Sequence, residues 1–491
     1  MKDCVLAIDE GTTGVTALVL GPDRRVLGRA YAEVPQSYPK PGWVEQDPLV
    51  ILATVETVGV QALRAAGVAA SRLAGIGIAN QRETTVLWDR RTGTPVAPAI
   101  VWQDKRTSTR CETLKPDWSS TVRRKTGLVL DPYFSATKLE WLLRDAKLKA
   151  RAKKGELAFG TVDAWLAARL VGRHATDVTN ASRTLLWNIR KGDWDDELLE
   201  LFGLPAALLP EVLPSSGVVG DTNRFGGNVP VAALVGDQQA ALFGQGCTRP
   251  GEAKCTYGTG AFILQHTGSS PVASRHGLLI TRAASLDAKP QFALEGAVFT
   301  AGAAIQWLRD QLGFFATAPE VNALAAQVPD SGGVVAVPAF TGLGAPHWDP
   351  EARGALLGLS RGTDRRHIAR AMLDAIAFQC ADVLAAMEKD SGKRLPRLRV
   401  DGGASQSDLL LQTQADILQR PVVRPANVET TAMGAGFLAG IATGLWSRDD
   451  AREPTRGDLE VRPLSKPAAV ARQRKAWSAA VAAMRAFKPQ T

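Results

Sequence analysis

The sequence predicts an α/β protein built as two lobes around a shared cleft. Three observations carry that expectation. At 491 residues the chain exceeds what one hydrophobic core serves, so two domains are expected. Near the N-terminus, Val5 to Ile8 is a short apolar run with β-branched members. It ends on Asp9-Glu10, turns through Gly11-Thr12-Thr13-Gly14 and returns as Val15 to Leu20, a hairpin pattern. Roughly half a chain later, Lys254-Cys255-Thr256-Tyr257-Gly258-Thr259-Gly260-Ala261-Phe262-Ile263-Leu264 repeats strand, Gly-Thr-Gly turn and strand, as two similar lobes would if each lent one loop to a common ligand.

A turn of Gly and Thr offers backbone N–H groups and hydroxyls to an anion with no side chain in the way. A carboxylate at the strand end, Asp9, is then placed to hold Mg²⁺ beside that anion. Charged residues at 22% and hydrophobic ones at 45% mark an ordinary globular mixture. The formal charge of +9 is dispersed, with no Lys/Arg block beside aromatic side chains, which argues against nucleic acid and mildly favours anionic substrates such as ATP. Cys4, Cys111, Cys247, Cys255 and Cys380 form no C-x-x-C pair and read as reduced thiols of a cytoplasmic protein. The histidines are scattered, so neither a metal cluster nor a His-based triad is supported. Asp9 and Glu10 interrupt the first apolar run, so no signal segment is read there. No run of bilayer-spanning length is expected either.

Taken in order, residues 1–35 read as strands and Tyr38 to Trp43 as a Pro-rich loop. Asp47-Pro48 starts a helix to about Ala66, Asp as N-cap and Pro at the first helical position. Ala74 to Ala79 is a small-residue buried strand delivering Asn80-Gln81-Arg82-Glu83-Thr84-Thr85 at its end, where such sheets face a ligand. Ala99 to Asp104 repeats that logic. Gly127 to Phe134 is a loop before an amphipathic helix carrying Leu139, Leu142 and Leu143, and Lys147 to Lys154 is a solvated basic face. Val231 to Val235 is a strand leading into Gly236-Asp237-Gln238-Gln239. The domain change is expected near residue 247, giving lobes 1–247 and 248–450 and a helical tail 451–491. In the second lobe, Ala297 to Leu312 runs into a helix and Val334 to Phe340 is a strand. Ile368, Met372, Ile376, Cys380, Val383 and Met387 share one face of a long helix. Leu398 to Ala404 is a strand with a glycine turn opening into a helix from Asp408. The tail from Lys466 to Lys488 reads as a peripheral helix.

Among nucleotide users, the absence of G-x-x-x-x-G-K-[ST] excludes a P-loop, and the absence of an H-R-D and D-F-G set excludes a protein kinase. A split phosphate site remains. Phosphoryl transfer needs an oriented hydroxyl, a base beside it, metal on the phosphates and exclusion of water. Asp237, ending a buried strand, is the candidate base. Arg82 donates and Glu83 accepts, so side by side they suit neighbouring hydroxyls of a polyol. Tyr133 and Gln238 add hydroxyl-directed groups, and Trp102 and Phe262 apolar faces.

These motifs carry a resemblance. Asn80 to Thr85, Ala99 to Gln103, Gly127 to Phe134, Gly236 to Gly244 and Thr341 to Pro350, with the two Gly-Thr turns, resemble the FGGY carbohydrate kinases of the actin, Hsp70 and hexokinase superfamily, and within them most closely the glycerol kinases. The resemblance covers nearly the whole chain and weakens beyond about residue 450. It implies two actin-like (ribonuclease H-like) domains with the active-site cleft between them, and transfer of phosphate from Mg-ATP to glycerol. It places glycerol on Arg82, Glu83, Trp102, Tyr133, Asp237, Gln238 and Phe262. It places nucleotide on Thr12, Thr13, Gly14, Thr16, Thr259, Gly302, Gln306, Gly403 and Ser407, and Mg²⁺ on Asp9 and Asp237. A cytoplasmic homo-oligomer without membrane insertion is the matching expectation.

The chain departs from the pattern of those kinases in several places, among them a short loop from Thr222 to Val229 that lacks their basic residue just before Val229-Pro230. Glu10 stands for a usual Gln, Thr16 for an Arg that helps the phosphates, and Ser407 for an Asn beside the adenine. A kinase of the same family for another polyol or a ketose, an actin-like ATP-binding chaperone or filament protein, and a regulator without catalysis remain alternatives at this point.

Overall fold

A computed structural model describes residues 2–450 and 457–487. The first lobe is a six-stranded sheet made of β1 (Cys4–Glu10), β2 (Gly14–Leu20), β3 (Val26–Glu33), β4 (Leu73–Asn80), β5 (Ser216–Thr222) and β6 (Val229–Gly236). Its order is β5-β6-β4-β1-β2-β3. The strands β1, β4 and β6 run parallel as neighbours, while β2, β3 and β5 are antiparallel to theirs. Helix α1 (Pro48–Ala66) lies across β2 and β3. Asp47 caps it, accepting a hydrogen bond from the Leu49 N–H with Pro48 at the first turn, and Gly67 closes it in the left-handed region at φ 63°.

The second sheet repeats this plan with β7 (Ala253–Tyr257), β8 (Ala261–Gly268), β9 (Leu279–Arg282), β10 (Phe292–Val298), β11 (Leu398–Asp401), β12 (Val422–Arg424) and β13 (Leu459–Val461). Its order is β9-β10-β8-β7-β11-β12-β13, with β7, β11 and β12 parallel. The predicted strand at Val334 shortens to Val335–Val337, and Ala297 belongs to β10 rather than to the following helix.

Two helices join the lobes: α2 (Asp237–Gly244), directly after β6, and α6 (Thr430–Ala442). Although α6 comes late in the chain, Ala435, Leu438 and Ala439 share a core with Val5, Ala7, Leu18 and Leu20 of the first sheet. It crosses α2 at backbone contact. A Cβ on Gly434 would collide with the Ala240 carbonyl, so glycine is required there. Between these helices in sequence lie α3 (Gly302–Asp310), α4 (Arg365–Ser391) and α5 (Asp408–Leu418). The stripe expected on α4 is buried from Met372 to Met387, with Ile368 packed at its edge. Helix α7 (Pro467–Ala486) buries Val470, Trp477, Val481 and Met484. Residues 451–456 and 488–491 of the expected tail, Lys488 among them, lie outside the described residues.

One expectation is corrected. Helix α1 is long and apolar enough to cross a membrane by length and composition. Its apolar side, with Ile51, Val55, Val58 and Ala62, packs into the first-lobe core together with Leu6, Ile8 and Val19.

Candidate active site

The parallel neighbours β1, β4 and β6 end on one edge of the first sheet. Glu10 pairs with Asn80, and Asn80 pairs with Gly236, so three strand ends are level. Asp9, the Gln81-Arg82-Glu83 segment and Asp237 therefore leave the sheet side by side. Asp9 is short of cations. Burial, then repulsion from Asp237, Glu429 and Asp401, pushes its carboxyl well above the ordinary range. The separate segments of Asp9 and Asp237 thus meet across one space, and Asp401 and Glu429 close on it from the second half of the chain.

The Glu10 substitution finds a local account. It is fully buried, and the Gln81 amide donates to its Oε1 at 3.0 Å. Burial raises its pKa well above the usual carboxylate value. A protonated acid offers one donor and one acceptor, as an amide does. Thr16 lies opposite Asp9 in the β1–β2 ladder, so a neutral hydroxyl, 8% exposed, occupies that position.

Arg82 is the hub of the pocket. Its Nη1 donates to Glu295 Oε2 at 2.6 Å and to Gln239 Oε1 at 3.2 Å, and its Nη2 donates to Glu295 Oε1 at 3.2 Å. Its Nε lies 3.1 Å from Asp237 Oδ1, an ion pair outside hydrogen-bond geometry. Arg183 donates from Nε to Glu83 Oε1 at 2.6 Å and from Nη2 to Glu295 Oε1 at 2.9 Å. Two guanidiniums and two carboxylates thus form one buried alternating network. Charges taken from water persist only when paired in this way. Burial raises Glu295, but Arg183 and Arg82 outweigh it and hold the carboxyl at about 2. Glu83 sits in the left-handed region at φ 62°, which turns its carbonyl to accept from Ser135 Oγ at 3.0 Å.

The aromatic wall is assembled from three segments. Trp102 meets Tyr133 edge-on at 5.5 Å, and Tyr133 meets Phe134 at 5.0 Å. Trp102 Nε1 donates to Thr12 Oγ1 at 2.9 Å, tying the Gly-Thr turn to the aromatic wall. The Gln46 amide donates to the Thr12 carbonyl at 2.8 Å. Phe262 pairs with Ala297, and two residues on Leu264 pairs with Glu295, so Phe262 and Glu295 share a face of the second sheet. Gln238 donates from its backbone to Asp237 Oδ1 at 2.6 Å and accepts a short bond from Lys254 Nζ.

Of the residues expected to meet nucleotide, Thr13 and Thr259 are exposed, Gly14 is buried at the start of β2, and Gln306 faces solvent on α3. The Gly258 and Thr259 carbonyls accept from the Gly302 and Ala301 N–H groups at 3.0 and 2.9 Å, which sets the second turn on the start of α3. Gly403 opens onto free space, where a Cβ would meet nothing within 4 Å. Ser407 stands at the start of α5. Its hydroxyl caps α5, accepting from the Leu410 N–H at 3.0 Å, and makes a short bond to Asn322 Oδ1. The hydroxyl is therefore engaged within the fold.

Arg183, Glu295 and Gln239 were not read from the sequence as site residues. A signal existed for Glu295, a lone carboxylate inside the apolar strand Phe292–Val298, since a buried charge demands a partner. Arg183 sits among small polar residues and offers no comparable cue. Among the described residues, no cluster of three or more His, Cys, Asp or Glu side chains could hold a metal alone.

Two family descriptions match the chain: "FGGY family of carbohydrate kinases, N-terminal domain" over residues 4–244 and its C-terminal counterpart over residues 253–443. A glycerol kinase of Trichlorobacter lovleyi is 54% identical over 486 residues, covering 97% of this chain and 98% of that one. A glycerol kinase of Alkalilimnicola ehrlichii is 56% identical over 447 residues, covering 90% of each. Among solved structures, Plasmodium falciparum glycerol kinase with ADP superposes with a TM-score of 0.92 at 31% identity, covering 98% of both chains. A xylulose kinase from Rhodospirillum rubrum gives 0.87 at 26% identity over 99% of each.

Proposed function

Since the chain belongs to the FGGY family of carbohydrate kinases, we propose that it transfers the γ-phosphoryl group of ATP to glycerol, giving ADP and sn-glycerol 3-phosphate. The observation that carries this reading is the meeting of Arg82, Tyr133, Asp237 and Glu295, from separate segments, in one charged pocket walled by Trp102. The identity to glycerol kinases across nearly the full length supports the choice of acceptor.

In this reading Arg82 and Glu83 orient the hydroxyls, Trp102 and Phe262 cover the carbon chain, and Asp237 takes the proton. The acceptor oxygen bonds to the γ-phosphorus while the bond to the bridging oxygen breaks. The electron pair leaves on ADP, and the hydroxyl proton passes to the Asp237 carboxylate. Thr12, Thr13, Gly14 and Thr259 line the phosphate path, with Gly302, Gln306 and Gly403 toward the nucleoside.

Asp9 and Asp237 would hold Mg²⁺. Asp9's buried carboxyl, repelled by Asp237, Glu429 and Asp401, is a hard-oxygen setting short of positive charge, which suits that ion. Magnesium when bound would neutralise phosphate charge. Nucleotide sites hold Mg²⁺ by one or two carboxylates plus phosphates, so a full protein cage is not needed. The lobes are taken to divide near residue 247. The five cysteines are free and buried, which fits a cytoplasmic enzyme.

A coupled ADP-release assay with and without glycerol, repeated over a panel of polyols and ketoses, tests the assignment. ADP release should depend on glycerol, and glycerol should give the highest kcat/KM. A ketose that clearly exceeds it would move the reading to a sugar-phosphorylating branch.

A further inference from the structure

Lys254 is a buried cation with no assigned task. It lies on β7, fully buried, and its Nζ donates to Thr256 Oγ1 at 2.8 Å and to Gln238 Oε1. The Gln238 bond crosses from the second lobe to the first, to the residue next to Asp237. Lys254 and Thr256 pair with Leu264 and Phe262, so Lys254 stands on the sheet face that carries Phe262 and Glu295 toward the pocket.

Its partners set it apart from the other cations nearby. Arg82 and Arg183 are consumed by Glu83 and Glu295. Lys254 is held by two neutral oxygens, and among the described residues no carboxylate lies within ion-pair distance of it. Asp401 and Asp237 act on its charge from further away, against a burial that lowers its pKa. Across the cleft, the position paired with Asp9 is the neutral Thr16. A buried ammonium without a direct counter-ion, beside the base and opposite a neutral position, suits an anion that arrives with substrate.

We propose that Lys254 is a catalytic residue that contacts the transferring phosphoryl group, supplying positive charge from the second lobe as negative charge shifts toward the leaving ADP. The proposal rests on the kinase reading above and deepens it. Lysine suits the task because its ammonium is a compact charge with three rotatable donors, able to exchange Gln238 for a phosphate oxygen. If Lys254 were only a tether between lobes, an amide at this position would still offer N–H donors toward Gln238 and retain most of the activity.

The test compares Lys254→Met and Lys254→Gln with wild type, after thermal melts confirm folding. Binding of ADP and of a non-hydrolysable ATP analogue is measured by calorimetry, and kcat and KM by ADP release. Both variants should lose roughly 10²–10³ in kcat, the usual cost of removing one transition-state donor. Both should bind the ATP analogue at least about tenfold more weakly while ADP affinity stays within about twofold. Equal weakening for ADP and the analogue would overturn the proposal, as would wild-type behaviour of Lys254→Gln. Should Lys254→Met not fold, Lys254→Gln decides alone, because its amide, one bond shorter, still offers N–H donors toward Gln238 without the charge. Failure of the wild-type chain to release ADP with glycerol would strike the kinase reading instead, a separate result.

Discussion

The two sheets share a strand plan, yet what stands at their strand ends differs. In the first, the parallel neighbours end at Glu10, one residue past Asp9, at Asn80 and at Gly236, just before Asp237. In the second, the corresponding strands end at Tyr257, Asp401 and Arg424. Tyr257 is buried and donates to Gln414 Oε1 at 2.7 Å, and Asp401 accepts from Gln245 Nε2 at 2.8 Å and from Thr430. The second lobe thus uses two of its strand ends to hold structure. Its approach to the pocket comes from a sheet face, through Lys254 and Glu295. A repeated backbone does not repeat chemistry; the side chain at each strand end decides what that edge can do.

The largest expected effect tests the first lobe's edge directly. Asp237→Asn should lower kcat by roughly 10²–10⁴, the range for a lost general base, with a smaller change in glycerol KM. Steady-state ADP release measures both. A fall below threefold would place the proton acceptor elsewhere.

Next comes the second lobe's contribution from its sheet face. Glu295→Ala leaves Arg82 and Arg183 buried without their shared carboxylate and should destabilise the fold by about 3–5 kcal/mol. Urea unfolding reads this. A loss under about 1 kcal/mol would mean that water or Glu83 replaces the carboxylate.

Much of this architecture was legible beforehand because it is written locally. Both Gly-Thr hairpins, the Asp47-Pro48 helix start, the buried stripe of α4 and the polar residues at the end of β4 each follow from a few adjacent positions. What was missed is long-range. Arg82 and Glu295 are 213 residues apart, and no periodicity joins them. The return of α6 to the first sheet leaves no local mark either, since a helix rich in Ala and Gly suits any close crossing. Ser407 caps α5 through the same hydroxyl that the resemblance directs to the nucleotide, a second role that adjacent positions do not announce. Helix α1 shows that apolar length is ambiguous between a core and a bilayer.

A third contrast concerns pH. Each lobe carries a histidine held neutral, the part-buried His174 in the first and the buried His266 in the second, both lowered to about 4 chiefly by desolvation. In the unfolded chain they take up protons near 6.5. Between pH 6.5 and 4 the unfolded state therefore binds more protons, and stability is lost as pH falls. Each contributes up to about 3 kcal/mol across that window. Unfolding free energies of His174→Gln and His266→Gln should depend less steeply on pH there than wild type. An unchanged slope in both would assign acid sensitivity to other groups.

The smallest effect separates the two turns themselves. In the first, side chains do the holding: Trp102 and Gln46 bind Thr12. In the second, backbone does it, with the first N–H groups of α3 donating to Gly258 and Thr259. Such a joint tolerates no Cβ, since one on Gly302 would lie 2.6 Å from the Gly258 oxygen. Gly302→Ala must push the turn away from α3, at about 1–3 kcal/mol for overpacking of this kind. Because Thr259 sits on that turn, the displacement should raise the KM for ATP severalfold and leave the KM for glycerol within about twofold. Trp102→Phe keeps a ring but removes the donor to Thr12, so it should disturb both substrates together. If Gly302→Ala instead impaired glycerol and ATP equally, the second turn would belong to lobe closure as a whole, and the division of labour between the two hairpins would be lost.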